Sequence, residues 1–108
     1  MNFSEPFPPE EAAIREIDWH YSRLAQVLRA ASHPIRLEII LLLEDGEVSV
    51  GALIDQLELP YALVSHHLGY LRRAHIVSVR KQGTARLYWL EENRLIPLIQ
   101  QWTAAHQT

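Results

Sequence analysis

The segment VSHHLGYLRR, from Val64 to Arg73, places two adjacent histidines, a glycine and two arginines in a stretch with helical periodicity. At 100° per residue, the core side of such a helix consists of Val64, Leu68 and Leu71. The opposite side is a narrow outward stripe formed by Ala62, His66, Gly69 and Arg73. His67 lies on the flank of the core. The two histidines are therefore expected to have different roles.

Neither a metal site nor a catalytic centre is expected within this helix. Helical ligand pairs are spaced i, i+3 or i, i+4, and neither His66 nor His67 has a suitable partner there. Hydrolytic use of His67 would need a nucleophile and an orienting acid, and residues 59–90 contain no acid. An enzyme is thus the poorest interpretation. The outward stripe instead suits the major groove of DNA, where small or polar side chains reach base edges.

The flanking sequence predicts a mainly α domain with a β-hairpin wing, a winged helix-turn-helix. The expected order is two helices, a short extended piece, two helices, a hairpin and a last helix. We expect a flexible N-terminus at 1–9 and a single domain at 10–108. Within it lie a helix-turn-helix at 49–74, a wing at 76–90 and dimerisation helices at 10–31 and 92–106. Ser49 should cap the third helix, Gly46 should end the second, and Gly83 should form the hairpin tip.

Composition and charge agree with a polarised DNA-binding protein. The chain has 108 residues, no cysteine and a net charge of −3. Residues 59–90 contain arginine and lysine side chains but no acidic ones, whereas the rest of the chain carries a net negative charge. No secretion signal or apolar membrane span is evident, so the cytoplasm is the expected compartment and no membrane partner is expected.

Two surfaces follow from this interpretation. The predicted DNA contacts lie along the fourth helix and the wing, at Tyr61, Ala62, Ser65, His66, Gly69, Arg73, Arg80, Lys81 and Arg86. Two apolar stripes, larger than one small core can cover, predict a homodimer interface at Ile14, Ile17, Tyr21, Leu24, Leu95, Leu98, Ile99 and Trp102. The expected partner is a double-stranded operator, an imperfect palindrome matching the dimer. The alternative is a winged-helix module that binds protein through Trp19, Trp89 and Trp102.

The stretches LRAASHPIRLEIILLLEDGEVSVGAL and LPYALVSHHLGYLRRAHIVSVRKQG resemble the ArsR/SmtB family of bacterial winged-helix regulators. The resemblance covers about Leu24 to Leu90, and the Ser65-x-His67-Leu68-x-x-Leu71 pattern matches the family's recognition-helix motif. It implies a homodimer, paired through the first and last helices, that represses its own or a neighbouring operon until an inducer binds. Pro60-Tyr61 replaces the usual polar cap of the recognition helix, so the operator is expected to differ.

The chain departs from the family at both of its familiar metal sites. Cysteines of the third-helix site are replaced by Ser49 and Gly51, which excludes a thiol-based inducer. The last-helix ligands become Glu92, Arg94, Ala105 and Thr108. No cofactor is therefore expected. A zinc or nickel site remains an open alternative at Asp18, His20 and His106, because the first and last helices would pack together in a dimer.

Overall fold

The computed structural model describes residues 19–106, and the predicted order of elements is confirmed there. The elements are α1 (Trp19–Ala31), α2 (Pro34–Leu42), β1 (Val48–Ser49), α3 (Val50–Leu57), α4 (Tyr61–Arg73), β2 (Val77–Gln82), β3 (Ala85–Leu90) and α5 (Leu95–Ala105). The N-terminal expectations for residues 1–18, including a helix start at residue 10, lie outside the described residues. The last helix is shorter than the predicted 92–106, because a turn at 91–94 precedes Leu95.

Local sequence accounts for where the helices begin. His33 is extended and its Nδ1 accepts a hydrogen bond from the Ile35 amide at 3.1 Å, while Pro34 opens α2. Ser49 caps α3, as predicted, by accepting from the Ala52 amide at 3.0 Å. The prediction that Gly46 ends α2 is wrong by several residues. The helix ends at Leu42, and Gly46, with φ +132°, closes the turn that follows.

The helix-turn-helix connects α3 to α4 through residues 58–60. Glu58 has a left-handed backbone with φ 55°, and its amide donates to the Ile54 carbonyl at 2.8 Å, which ends α3. Pro60 then stands before the first residue of α4 without a side-chain cap. The short turn fixes α4 against α3, with its outward side free.

The wing is part of a three-stranded antiparallel sheet with strand order β1-β3-β2. β2 and β3 pair from Val77 opposite Leu90 to Gln82 opposite Ala85. The two-residue loop between them has Gly83 at φ +62°, the position where a tight hairpin turn favours glycine. β1 pairs with Leu87 and Tyr88 in the middle of β3, so the hairpin is attached to the domain on one side.

The core is formed mainly by α2, α3, α4 and the base of the wing. Its side chains with at most 1% exposure are Ile39, Ile40, Leu43, Leu53, Val64, Leu68, Leu71, Ile76 and Val77. From α1, the buried residues are Val27, Ala30 and Ala31, whereas the sequence stripe of Tyr21, Leu24 and Leu28 is exposed. α1 is therefore apolar on two sides, and only one of them packs within the protomer.

Candidate nucleic-acid interface

The two sides of α4 have the predicted orientation. Val64, Leu68 and Leu71 are fully buried, and His67 beside them is 4% exposed. On the outward stripe, Ala62, His66 and Arg73 are exposed and Gly69 is half-buried. Two further predicted DNA contacts lie near the start of the helix, where Tyr61 is 55% exposed and Ser65 is half-buried. The helical phase derived from the sequence is thus confirmed.

His67 anchors α4 to the rest of the domain. Its Nδ1 accepts a hydrogen bond from Arg36 Nε at 3.1 Å, and the His33 ring centroid lies 4.4 Å from its own. Since Nδ1 accepts, the proton of the neutral ring is on Nε2. Burial lowers the pKa of His67, and the neighbouring His33, Arg36 and His66 lower it further. His67 is therefore a neutral acceptor at neutral pH and is not available to DNA.

Arg36 joins three helices of the domain, a role that the sequence analysis missed. Its Nη1 donates to the Ala30 carbonyl at 3.0 Å, so one side chain of α2 joins the end of α1 to His67 in α4. A basic residue in a nearly all-apolar helix was the available signal. Arg23 was missed as well. Its guanidinium donates to the carbonyls of Ala74 at 2.6 Å and His75 at 3.3 Å, where α4 ends.

His66 is free to contact a base. Its ring lies on the outward side and packs edge-on against Tyr70, with centroids 5.1 Å apart. This contact orients the ring without using either ring nitrogen. An imidazole can donate from one nitrogen and accept at the other, which suits a base edge in the major groove.

Gly69 lies beneath the end of the Arg73 side chain. The Arg73 side chain folds back along α4, with its Cζ 4.7 Å from the Tyr70 ring centroid. A Cβ atom at Gly69 would lie 3.4 Å from Arg73 Nη1, which is van der Waals contact with the end of a flexible side chain. Glycine therefore keeps this part of α4 thin.

The basic residues of the wing meet the end of α4 in a cleft of about 270 Å³, the wing cleft, lined by Arg72, Arg80, Lys81 and Arg86 together with Val79. Lys81 and Arg86 are cross-strand partners beside the hairpin tip, and both are exposed. Arg80 is held back from the tip by Glu47, which accepts from its Nε at 2.9 Å. Arg72 was missed because its helical position, 80° from Val64, indicated the flank of the core.

The predicted dimer residues divide into two groups. Tyr21, Leu24, Leu98 and Trp102 are 49–68% exposed, and the first three line an apolar groove of about 470 Å³ between α1 and α5. Leu95 is 6% exposed and Ile99 is half-buried, so both pack mainly within the protomer. Ile14 and Ile17 lie outside the described residues. The free apolar surface is thus on α1 and the outer side of α5.

The tryptophans of the alternative interpretation lie on three different elements. Trp19 of α1 is 70% exposed and Trp102 of α5 is 68% exposed. Trp89 on β3 is half-buried, and its Nε1 donates to Glu91 Oε1 at 3.1 Å. Two of the three side chains are therefore on the helices predicted to dimerise.

The residues present do not fit the family's last-helix metal site. Glu92 is 8% exposed, and its carboxylate accepts from Arg94 Nε at 2.7 Å and Nη2 at 2.6 Å. These bonds lower the pKa of Glu92 to about 2. The His106 ring stacks on Trp102 at 4.3 Å, whereas Asp18 and the side chain of His20 lie outside the described residues. Between residues 19 and 106, no three histidine or acidic side chains come together as a metal site.

Comparisons with known proteins agree with this geometry. A sequence model described as "Bacterial regulatory protein, arsR family" matches residues 33–79, which span α2, α3, α4 and the start of the wing. A helix-turn-helix-type transcriptional regulator of Methanocaldococcus jannaschii is 39% identical over 80 residues, 73% of this chain and 90% of the relative. In the part of the chain that the structure describes, no helix is both long enough and apolar enough to cross a membrane.

Solved structures show the same fold. HlyU from Vibrio cholerae superposes with a TM-score of 0.73 at 30% identity, covering 83% of this chain and 98% of that one. The transcriptional repressor BigR from Xylella fastidiosa superposes with a TM-score of 0.73 at 28% identity, covering 94% and 99%. Both the family and these neighbours are regulators of transcription, not enzymes. The chain belongs to the ArsR family of bacterial winged helix-turn-helix transcription regulators.

Proposed function

We propose that this DNA-binding transcription regulator is a homodimeric repressor of its own or a neighbouring operon, acting in the cytoplasm on an imperfectly palindromic operator. The observation that supports it most is the outward side of α4, where exposed Ala62, His66 and Arg73 surround Gly69 on a surface without acids. In this proposal α4 enters the major groove, and the wing cleft holds the phosphate backbone on one side of it.

The proposed base contacts are made from the outward stripe and the start of α4. His66 is the central contact, with Tyr61, Ala62 and Ser65 nearer the start of the helix, where base contacts concentrate. Lys81 and Arg86 contact phosphates from the wing, and Arg72 joins them there. Arg80 contributes less, because its guanidinium is already bound to Glu47.

The dimer is proposed to form through α1 and α5. Tyr21, Leu24, Leu98 and Trp102 are exposed on these two helices, and water-exposed apolar surface of this kind is stabilised by a second copy. Two α4 helices would then contact half-sites about one turn of DNA apart. Since the chain has no cysteine, the proposed inducer does not act on a thiol.

Footprinting on the DNA upstream of the gene tests the proposal. We expect protection of two half-sites, binding that falls steeply with salt, and at least about 1,000-fold weaker binding to a scrambled duplex. Transcription from that promoter in a purified system should fall when the protein is added. An unprotected promoter region, or equal affinity for both duplexes, would overturn the proposal. Arsenite at concentrations that release cysteine-containing regulators should leave the complex intact.

A further inference from the structure

A second basic cleft lies on the other flank of α4. It opens between α1 and the end of α4, has a volume of about 480 Å³, and is called here the α1-side cleft. Its lining includes Gln26, Arg29, Arg36, Tyr70, Arg73 and His75. At 100° per residue, Tyr70 lies about 160° around α4 from Arg72, which lines the wing cleft. The outward stripe lies between the two clefts.

The α1-side cleft concentrates positive charge that no carboxylate among residues 19–106 neutralises. The guanidinium carbons of Arg36 and Arg73 lie 4.0 and 4.7 Å from the centroid of the Tyr70 ring. Arg29 is exposed on α1, and its side chain has no hydrogen-bond or ion-pair partner among residues 19–106. The ion pairs found in that range, Arg80 with Glu47 and Arg94 with Glu92, lie elsewhere. Like charges gathered around one ring are best satisfied by an anion.

We propose that the α1-side cleft binds a phosphate of the DNA backbone, on the strand opposite to the one that the wing cleft contacts. The major groove is about 12 Å wide, and a helix within it has a phosphate backbone on each side. Two basic clefts on opposite flanks of one recognition helix match that arrangement. The inference rests on the proposed function, and it assigns DNA-contacting roles to Arg29 and Arg36, which come from α1 and α2.

Arg36 connects the phosphate to the placement of α4. It lines the cleft and at the same time donates from Nε to His67 and from Nη1 to the Ala30 carbonyl. Its Nη2 has no hydrogen-bond partner among residues 19–106, so it could donate to a phosphate oxygen. A phosphate bound here therefore contacts a side chain that already holds α4, so Arg36 both binds the backbone and positions the helix.

The test combines Arg29→Ala with a neutral phosphate analogue. Arg29 is exposed and has no side-chain partner in the part of the chain that the structure describes, so the variant should fold and melt as the wild type does. Affinity is measured for the footprinted duplex and for duplexes with one methylphosphonate at each flanking position in turn. Arg29→Ala should weaken binding roughly two- to fivefold per protomer and flatten the salt dependence by about 0.9. At one flanking position per half-site, the methylphosphonate should weaken binding of the wild type clearly and binding of Arg29→Ala less, because Arg36 still contacts that phosphate in the variant.

Arg86→Ala is the matched control, because it removes one arginine from the wing cleft. Arg86→Ala should become less sensitive to the methylphosphonate at a different position, on the opposite strand, and should keep full sensitivity at the Arg29 position. Loss of wild-type binding to all duplexes would contradict the proposed function itself. Normal wild-type binding with no position coupled to Arg29 would overturn this inference alone. A third result would also overturn the inference. In it, 10 mM inorganic phosphate raises the melting temperature of the wild type but not of Arg29→Ala, while Arg29→Ala binds DNA normally. The ligand of the cleft would then be a free anion.

Discussion

α4 and α5 are both amphipathic, yet they satisfy their apolar sides differently. Every large apolar side chain on the core side of α4 is fully buried within one chain. In α5, Leu95 and Ile96 are buried, whereas Leu98 and Trp102 are 55% and 68% exposed. α4 is therefore complete in the protomer and presents a polar side for its ligand. α5 is half complete and presents apolar surface, which is stabilised only when something covers it.

The largest loss of stability should come from a substitution in α4, whose apolar side is fully buried within the protomer. Leu68→Ala removes a fully buried side chain and should lower the free energy of unfolding by about 2–5 kcal/mol, measured by chemical denaturation. The loss should not depend on protein concentration. Leu98→Ala removes the same atoms from a half-exposed position of α5, and its effect should shrink as the protein is diluted, because a dimer contact stabilises the fold only while the dimer is populated. If both variants lost the same free energy of unfolding at every protein concentration, the apolar side of α5 would be covered within the protomer, as that of α4 is.

Charge placed on the open side of α5 should separate the subunits. Trp102→Glu should weaken dimerisation by about 2 kcal/mol or more, and operator binding should fall with it. Sedimentation equilibrium and a gel-shift assay measure the two effects. Gln101→Glu adds the same charge at the neighbouring exposed position and is the control. If Trp102→Glu remained dimeric, α5 would not form the interface, and the protein-binding alternative would gain support.

The start of α5, unlike its outer side, is held by side-chain contacts within the protomer. The buried Glu92 carboxylate binds the Arg94 amide at 3.0 Å and the Arg94 guanidinium. Glu92→Gln should cost about 1–3 kcal/mol at pH 7, less than the pKa shift alone implies because Arg94 is in solvent. The folded pKa is depressed to about 2, so this stability is present above about pH 4.5 and is lost as pH falls toward 2. Denaturation at several pH values should show the two proteins converging in acid; a constant difference would refute the assignment.

His66 and His67 contrast the two sides of α4 at adjacent positions. His67→Ala leaves Arg36 Nε without its acceptor and should cost about 1–3 kcal/mol of stability. His66→Ala should leave the melting temperature nearly unchanged and weaken specific binding by about 1–3 kcal/mol, blurring one position of each half-site. Melting curves and binding to matched and scrambled operators measure both. The reverse pattern would mean that His67, not His66, faces the DNA.

Because the pKa of His67 is lowered, the stability difference between the wild type and His67→Ala should depend on pH. Because its folded pKa lies below the unfolded value of 6.5, its contribution is fully present above pH 6.5 and decreases as pH falls. Wild-type protein should therefore lose stability on acidification just below pH 6.5, and His67→Ala should lose less.

The smallest effects should separate the arginines of the wing. Arg86→Ala should weaken all sequences about equally and flatten the salt dependence by about 0.9 per protomer. Arg80→Ala should flatten it less, because Glu47 already neutralises that guanidinium. Binding measured at two or more salt concentrations distinguishes them. Equal slopes would show that the Arg80-Glu47 pair opens on DNA.

The orientation of α4 could be predicted from sequence because its apolar residues recur on one side only. For α1, the sequence assigned Tyr21 and Leu24 to a dimer interface, and both are exposed in the protomer, but it did not identify the buried side, which consists of Val27, Ala30 and Ala31. Periodicity does not show which stripe meets the core. The contacts of Arg36 with His67 and of Arg80 with Glu47 join residues 31 and 33 positions apart, and local patterns do not encode such pairs.

The strand order of the wing bears on how the protein behaves at high concentration. β2 is the outer strand of the sheet, so its free edge could pair with the same edge of another molecule and begin aggregation. Arg80 and Lys81 lie on that strand, and their charges repel an identical edge. The residues proposed to bring the wing to DNA are therefore also expected to keep the free protein dispersed. Neutralising both would remove solubility together with phosphate contacts.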